Sequence, residues 1–304
     1  MSIQTELTRI TNAKAAIKTA IEGKGVTVPD GTLLDGMAAL IEAIQAGGGD
    51  TSAEEGLIER IITEYSNSRV TKIGNYVFNQ YDTLTKADFP AATSIGNFAF
   101  SYCSKLKTAN FPVATSIGNN AFVSCSELIN ADFHAVTSIG NSVFKYCKAL
   151  LTADYPVATS IGTEAFYQCE KLKTANFPVA TSIGNYAFYK CYDLKNANFP
   201  VATSIGNDAL ERCNTLTKAD FPVATSIGSY AFYYCSALKA LILRSETMCK
   251  LSNANAFTYT PIKSGTGYIY VPSALLASYQ AATNWSTFSA QFRAIEDYPD
   301  ICGG

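Results

Sequence analysis

Cysteine carries the most reactive side chain in this sequence, and seven of the nine cysteines recur every 22 residues. They are Cys103, Cys125, Cys147, Cys169, Cys191, Cys213 and Cys235. Thiols in one row could form disulfides, since neighbours could come within bridging distance, or they could bind zinc. Seven is an odd number, however, and no Cys-x-x-Cys motif is present to hold zinc. The pattern favours reduced, buried thiols that act as small hydrophobic groups, with Tyr81 in the position 22 residues before Cys103.

The other residues that could do chemistry are the single histidine and a column of carboxylates. His134 stands where the equivalent segments have a proline, and it has no second histidine as a partner. The carboxylates occupy equivalent positions, whereas a paired acid mechanism needs two differently tuned environments. The sequence also lacks a nucleophile paired with a base and a glycine-rich phosphate loop. We therefore predict a protein that is not an enzyme and that needs no metal or cofactor.

A phrase of 22 residues positions these columns and occurs eight times between Val70 and Arg244. Its plainest copy begins Thr93-Ser-Ile-Gly-Asn-Phe-Ala-Phe-Ser-Tyr-Cys and ends at Ala114. The glycine column keeps the spacing without a slip: Gly74, Gly96, Gly118, Gly140, Gly162, Gly184, Gly206 and Gly228. Such self-similarity is typical of a solenoid, in which each copy is one coil that is too small to bury its own apolar face.

Each coil is predicted to contribute one short strand. In Leu106-Lys-Thr-Ala-Asn-Phe111-Pro112 the Leu, Ala and Phe side chains should point inward, and Pro112 should end the strand because it cannot donate to the ladder. Thr-Ser-Ile-Gly is predicted to turn the chain, with glycine supplying a positive φ or a close backbone approach. The run Ala-Phe-x-x-Cys-x-x-Leu has α-helical or 3₁₀ spacing and should return the chain to the next strand.

The phrase Ile-Gly-Asn-x-Ala-Phe-x-x-Cys-x-x-Leu-x-x-Ala-x-Phe-Pro resembles the BspA-like (Treponema-type) leucine-rich repeat over residues 70–244. Ala replaces the larger aliphatic residue of that family inside the strand, and Phe or Tyr replaces the one before Pro, which we expect to conserve volume. The resemblance implies an α/β solenoid, a right-handed leucine-rich-repeat coil with a parallel sheet on its concave face. It also implies a bacterial surface or secreted protein that binds other macromolecules.

Residues 1–49 are predicted to form a helical module. Ile3, Leu7, Ile10, Ile17 and Ile21 recur at spacings of three and four once Lys14 fills the missing position, and a second helix starts at Thr32. The module is either a self-contained hairpin or an attachment module that forms homo-oligomers through those five residues, as a trimer rather than a dimer. Residues 3–46 resemble a short module of tail-associated proteins of bacteriophages and prophages.

Two further segments are predicted to close the ends of the array. Residues 50–69 should form an N-terminal cap, because the first coil has no neighbour on one side. Residues 245–304 should form an irregular last repeat and a C-terminal cap, with a strand at 268–272 and helical pieces at 273–279 and 284–288. Trp285, the only tryptophan, is expected in the core of this cap. The eight repeats at 70–244 lie between the two caps.

The polar residues that flank Ala in each strand are the candidate ligand-binding residues. They are Lys86, Asp88, Thr108, Asn110, Asn130, Asp132, Thr152, Asp154, Thr174, Asn176, Asn196, Asn198, Lys218 and Asp220. Such a face suits glycan or polar protein ligands, although it could equally be a solvated face with Asn and Asp stacked for stability. A second candidate is the variable aromatic set Tyr76, Phe98, Tyr102, Tyr146, Tyr167, Tyr186, Tyr189, Tyr230, Tyr233 and Tyr234. These rings serve either contact with a partner or packing between coils.

Bulk composition narrows the class of partner. The 304 residues carry a net charge of −2 and are 48% hydrophobic, and no apolar run of about 18 residues could span a membrane. We therefore expect neither nucleic-acid binding nor membrane insertion. Residues 1–9 lack the features of a secretory signal, so we expect export by a route other than general secretion.

Two function classes remain. The first is a phage or prophage tail-associated receptor-binding protein, made in the host cytoplasm and located in the virion tail. It would meet a cell-surface glycan or protein receptor through the solenoid and other tail or surface proteins through residues 3–46. The alternative is a BspA-like bacterial surface adhesin or protein-interaction scaffold.

Overall fold

The computed structural model describes residues 64–66 and 68–303. The predicted helical module at residues 3–46, with its seam Ile3, Leu7, Ile10, Ile17 and Ile21, lies outside these residues. Most of the predicted N-terminal cap does so as well. The boundaries proposed for the four segments of the chain therefore stay predictions.

A ladder of three-residue parallel strands runs through the repeats, as the strand pattern predicts. We call it the Ala ladder because the middle residue of each repeat strand is a buried or half-buried alanine. Within each sheet of the repeats a strand pairs with its equivalent 22 residues away, so that Ala109 lies between Ala87 and Ala131. The strands are Glu64–Ser66, Lys86–Asp88, Thr108–Asn110, Asn130–Asp132, Thr152–Asp154, Thr174–Asn176, Asn196–Asn198, Lys218–Asp220, Ala240–Ile242, Tyr268–Val271 and Phe292–Ala294.

A second parallel ladder was missed by the sequence reasoning, which treated Thr-Ser-Ile-Gly as a turn. The Ser-Ile pairs of successive coils lie side by side and form two-residue strands, and a threonine hydroxyl before each pair donates to the equivalent carbonyl 22 residues earlier, as Thr93 does to Thr71 over 3.0 Å. Exact repetition allows this, because each short segment meets a copy of itself in register. The strands are Lys72–Ile73, Ser94–Ile95, Ser116–Ile117, Ser160–Ile161, Ser182–Ile183, Ser204–Ile205, Ser226–Ile227 and Lys250–Leu251, with a single bridge from Ile139 to Ile161.

The return segment of each repeat is a run of turns, so the expected helical or 3₁₀ piece is wrong. Some of its N–H groups donate to the next coil, as Phe98 N does to Asn119 O over 3.0 Å and Phe100 N to Ala121 O over 2.7 Å. Others close single turns, as Ser101 N does by donating to Phe98 O over 3.2 Å. Two residues per repeat adopt the left-handed conformation to make this possible, at the second and sixth positions after the glycine, such as Phe98 and Tyr102. Bonds between coils and single turns together satisfy the N–H groups of this segment, and no continuous helix forms.

The glycine column is required by close backbone approach and not by a positive φ. A Cβ added to Gly184 would lie 2.6 Å from both the carbonyl carbon and the oxygen of Gly162. None of the eight repeat glycines has a positive φ, so the first of the two sequence-based explanations is wrong and the second is confirmed. The asparagine that follows most of these glycines bridges adjacent coils as well, since Asn97 Oδ1 accepts from Asn119 N over 2.8 Å.

The core consists of two interleaved columns of aromatic rings. Phe100 stacks on Phe122 with their centroids 5.0 Å apart, and Phe111 stacks on Phe133 at 5.2 Å. Phe111 also meets Phe122 edge to face at 6.1 Å, which joins the two columns. Because the small Ala of the strand lies near the large Phe, one layer of rings fills the interior of each coil.

The C-terminal segment closes the open end of the array. It contains 3₁₀ helices Ala254–Phe257, Ser273–Leu275, Ser286–Gln291 and Ile295–Asp297, and α-helices Pro261–Ser264, Leu276–Ala281 and Pro299–Cys302. Trp285 is 1% exposed and its Nε1 donates to Cys249 O over 2.8 Å, so its predicted place in the cap core is confirmed. Phe257 stacks on Phe232 at 5.4 Å and continues the aromatic column.

The cysteine column supplies a second donor to carbonyl groups that already accept a backbone N–H of their own turn, as Phe122 O does from Cys125 N over 3.2 Å. All nine cysteines are unpaired and buried. Each of the seven repeat thiols lies within hydrogen-bond distance of the carbonyl oxygen 25 residues earlier, for example Cys103 Sγ to Phe78 O at 2.9 Å and Cys147 Sγ to Phe122 O at 3.1 Å. Burial raises the pKa of Cys235 to about 12. The thiolate, which is the reactive form, is therefore scarce at neutral pH.

We expect all seven repeat thiols to resist alkylation in the native protein and to react together once it unfolds. Iodoacetamide at pH 8, followed by mass spectrometry with and without denaturant, measures this. A mass lower by two hydrogens for each pair of neighbouring cysteines would indicate disulfides. That result, or rapid alkylation of the thiols in the folded protein, would contradict the assignment of buried, reduced thiols.

Candidate functional site

The fourteen residues predicted from the sequence as a ligand-binding face all lie in strands of the Ala ladder. Their side chains form two rows on the outward side, which we call the sheet face. Hydrogen bonds join neighbours in one row: Asn110 Nδ2 donates to Asp88 Oδ1 over 2.7 Å, and Asn198 Nδ2 donates to Asn176 Oδ1 over 2.7 Å. Part of the polar capacity of this row is therefore used to stabilise the stack.

His134 lies at the one place in this row where two aspartates are neighbours. Its Nδ1 contacts the carboxylate of Asp132, and its Nε2 lies 3.8 Å from Asp154 Oδ2. The Ala ladder is interrupted between the strands Asn130–Asp132 and Thr152–Asp154, as it is between Asn196–Asn198 and Lys218–Asp220. A histidine in the proline position thus places an imidazole between two carboxylates that would otherwise face each other. The sequence reasoning found the position but not this contact.

No group of three or more His, Cys, Asp or Glu side chains in residues 64–66 and 68–303 is arranged to hold a metal ion. The helices in these residues are also too short or too polar to cross a bilayer. The sites that the described residues offer are surfaces.

A row of exposed and half-buried aromatic rings follows the return segments of the coils. We call it the tyrosine ridge and define it by the ten aromatic residues predicted from sequence: Tyr76, Phe98, Tyr102, Tyr146, Tyr167, Tyr186, Tyr189, Tyr230, Tyr233 and Tyr234. Tyr76 and Tyr102 are 56% and 55% exposed. The repeat varies at these positions within this chain, where Asn, Ser, Val, Glu, Gln, Lys, Arg and Asp also occur.

Ridge side chains contact one another and nearby cations. Tyr76 stacks on Phe98 with centroids 5.0 Å apart, and Tyr167 stacks on Tyr189 at 4.6 Å. Lys145 Nζ lies 4.7 Å from the Tyr167 centroid and 2.7 Å from Glu164 Oε2. Packing between coils, one of the two alternatives left open by the sequence, is therefore present in this row, and contact with a partner stays a prediction.

The repeat that contains Asp208, Glu211 and Arg212 carries ionisable groups at ridge positions where other repeats have aromatic rings. Glu211 is buried, and this burial, followed by a hydrogen bond with Asp208, raises its pKa to about 7. Arg212 Nε lies 3.4 Å from Glu211 Oε1, and the guanidinium carbon lies 4.3 Å from the centroid of Tyr234. The charge of this part of the ridge therefore changes near neutral pH.

A cleft of about 480 Å³ opens at the C-terminal end of the sheet face. It forms where the helix Pro299–Cys302 packs over the strand Ala240–Ile242, whose outward residues are apolar in place of the usual Thr and Asn. Apart from Lys218, none of its lining residues was predicted as a site residue, although the change from polar to Ala-Leu-Ile signals a covered strand. The lining consists of Lys218, Lys239, Ala240, Thr266, Tyr268, Tyr270, Asp300 and Ile301.

Solved structures include several similar chains. A leucine-rich cell surface protein from Faecalibacterium prausnitzii A2-165 is 28% identical with a TM-score of 0.43, and the match covers 60% of this chain and 50% of that one. A leucine-rich repeat protein from Bacteroides ovatus ATCC 8483 is 18% identical with a TM-score of 0.36, covering 77% and 84%. The leucine-rich repeat protein of T. pallidum is 18% identical with a TM-score of 0.42, covering 58% and 78%. This chain thus spans about half of the Faecalibacterium protein, and no curated protein matches it.

A family model describes most of the chain. The model for the BspA type leucine-rich repeat region, in six copies, matches residues 61–173 and 159–274. These ranges contain the glycine, cysteine and aromatic columns whose stacking builds the coils described above. The chain belongs to the BspA-type leucine-rich repeat family.

Proposed function

We propose that this protein is a surface-associated, non-enzymatic binding protein, an adhesin or interaction protein that meets a macromolecular partner through the tyrosine ridge. One observation carries the proposal. The chain places large aromatic residues, exposed or half-exposed, at backbone positions that disfavour them and that do not need them for the core.

That observation can be put in energetic terms. The eight repeats hold sixteen left-handed positions, and seven of them carry an aromatic residue: Tyr76, Phe98, Tyr102, Tyr146, Tyr186, Tyr230 and Tyr234. A residue with a side chain costs roughly 1 kcal/mol or more there, and Asn or Gly would cost least. Asn120, Ser124 and Ser142 occupy the same columns, so the coil does not depend on an aromatic ring. Tyrosine also provides a large, rigid and amphipathic contact area, as it does in antibody paratopes.

The sheet face is the competing location for the ligand. Its fourteen polar residues remain a proposal, because the hydrogen bonds between neighbouring Asn and Asp side chains give that row a structural reason to exist. A ligand that bound there would have to compete with those bonds.

The finer hypothesis of a phage tail receptor-binding protein in the virion depends on residues 3–46 and gains no support from the family. Bacterial surface proteins of the BspA-like type are the class that the family favours, so we place the protein at a cell surface. Self-association through Ile3, Leu7, Ile10, Ile17 and Ile21, as a trimer, stays a prediction. So does the attachment of residues 3–46 to other tail or surface proteins.

A matched pair of triple variants tests the proposal. The ridge variant carries Tyr102→Ser, Tyr186→Ser and Tyr230→Ser, because serine occurs naturally in the same columns at Ser124 and Ser142. The sheet-face variant carries Asn130→Ala, Thr152→Ala and Asn196→Ala. Fluorescent protein is applied to a glycan array and to intact bacterial and animal cells, and the strongest ligand is then titrated by surface plasmon resonance.

We expect the ridge variant to bind at least about tenfold more weakly, since interface tyrosines often contribute more than 1 kcal/mol each, and the sheet-face variant to stay within about twofold of the wild type. Circular dichroism melts control for folding. Loss of binding in the sheet-face variant alone would move the site to the sheet face, and no binding to any probe would refute the adhesin function.

A further inference from the structure

We propose that the cleft at the C-terminal end of the sheet face is a separate binding site for an acidic sugar residue, such as a uronic or sialic acid. It lies on the strand side of the coils, whereas the tyrosine ridge follows the return segments. The site therefore goes beyond the proposed function, and the two can fail independently.

The cleft is a preformed concavity whose wall is built by the chain itself. Lys218 Nζ donates to the carbonyl oxygen of Ile301 over 2.9 Å, which fixes the last helix against the sheet. Cys302 is buried against Ala240, Ile242 and Tyr270 on the same face. A volume of about 480 Å³ lies within the usual range for small-ligand sites, and it suits a ligand the size of one sugar ring better than an extended chain.

Lysines outnumber carboxylates in the lining of the cleft, where Asp300 is the one acidic residue. Lys218 and Lys239 both line the cleft. Lys218 has a carboxylate partner at 3.8 Å, in Asp220. Within the described part of the chain, no carboxylate lies within ion-pair distance of Lys239, which is exposed. An exposed ammonium group at the edge of a concave site is free to pair with a ligand carboxylate.

Its remaining polar groups favour a ligand that also carries hydroxyls. Asp300 accepts hydrogen bonds only, whereas Thr266, Tyr268 and Tyr270 can donate or accept. The Tyr268 ring is held by Arg293, whose guanidinium carbon lies 4.2 Å from the ring centroid. A carboxylate and several hydroxyls on one rigid ring match lysine, carboxylate and hydroxyl groups around one cleft. A flexible acidic peptide would lose more conformational entropy to do the same.

The contrast with the other repeats supports a specialised site. Lysine also precedes the strand in the coils of Lys107, Lys173 and Lys195, where the sheet face continues with polar residues. Among these four coils, only that of Lys239 has a covering helix and two tyrosines of the next strand, Tyr268 and Tyr270, to enclose the space beside the lysine. Lys195 is therefore a matched control with the same position in the coil and no cleft.

The test uses the full chain and two sugars that differ by one carboxylate, methyl β-D-glucuronide and methyl β-D-glucoside. Saturation-transfer NMR titrations measure their dissociation constants for the wild type, Lys239→Gln, Lys239→Arg and Lys195→Gln. We expect the wild type to bind the glucuronide at least about tenfold more tightly than the glucoside. Lys239→Gln should weaken binding of the glucuronide about tenfold, which is the size of effect expected for the loss of one charged hydrogen bond. Lys239→Arg and Lys195→Gln should bind the glucuronide as the wild type does.

Three results would overturn the proposal. Equal binding of the two sugars would exclude recognition of the carboxylate. Equal weakening by Lys239→Gln and Lys195→Gln would mean general attraction by a lysine-bearing surface. Binding of N-acetylglutamic acid amide as tight as that of the glucuronide would assign the cleft to acidic peptides.

Discussion

Replacing Phe144 by aspartate is expected to abolish cooperative folding of the solenoid. Phe144 is fully buried and stacks between Phe122, at 5.6 Å, and Phe166, at 5.3 Å. The carboxylate would lie in a column of rings with no cation or donor to pair with, which costs several kcal/mol. Since a whole domain is stable by only about 5 to 15 kcal/mol, and coils depend on their neighbours, the loss should spread beyond the mutated repeat.

Phe144→Leu provides the control, because Leu210 is the natural occupant of the same column and is fully buried there. We expect a modest loss of roughly 1 kcal/mol for this change. Thermal melts followed by circular dichroism distinguish the variants. Ile139→Asp, at a residue that is 2% exposed, should behave like Phe144→Asp, and melting of both aspartate variants within a few degrees of the wild type would refute the core assignment.

Gly184→Ala is expected to destabilise the protein by about 3 kcal/mol, a loss in the range for an overpacked core. The added Cβ would lie 2.6 Å from the carbonyl carbon and oxygen of Gly162 and 2.7 Å from the backbone nitrogen of Thr163. All of these are backbone atoms, so two coils must separate. The two ladders on either side of the glycine resist that separation.

Gly74→Ala is the matched control, since its Cβ would meet only the flexible Val77 side chain, at 3.3 Å. Neither glycine has a positive φ, so the entropic gain from alanine is the same at both sites, roughly 0.4 to 1 kcal/mol. We expect Gly74→Ala to change the free energy of unfolding by less than about 1 kcal/mol. Urea titrations measure both, and equal effects would contradict the close approach of adjacent coils.

The parts of the fold that follow from side-chain size and period were predictable. Ala109 and Phe111 alternate with polar residues in a strand pattern, and both are buried. The return segment was not predictable by the same rules, because several of its N–H groups bond to the following coil. Spacing within one repeat carries no sign of that partner. The Ser-Ile ladder was missed for the same reason, since two residues are too few to show a strand period.

The candidate site was predictable only in part. The polar rows of the sheet face and the aromatic positions of the ridge could be read from the columns of the repeat. Their hydrogen bonds and stacking, such as Asn110 to Asp88 and Tyr76 on Phe98, depend on distances between coils. The cleft beside Lys239 depends on the path of residues 295–303, where the period has ended and no column remains to guide the prediction.

Hydrogen–deuterium exchange of the protein alone and with its strongest ligand tests the central claim, binding through the tyrosine ridge. The account predicts slower exchange on binding in the return segments, above all in residues 98–102, 186–190 and 230–234, with no change in the strands Thr152–Asp154 and Thr174–Asn176. Protection confined to those strands and their neighbours, with the return segments unchanged, would contradict it.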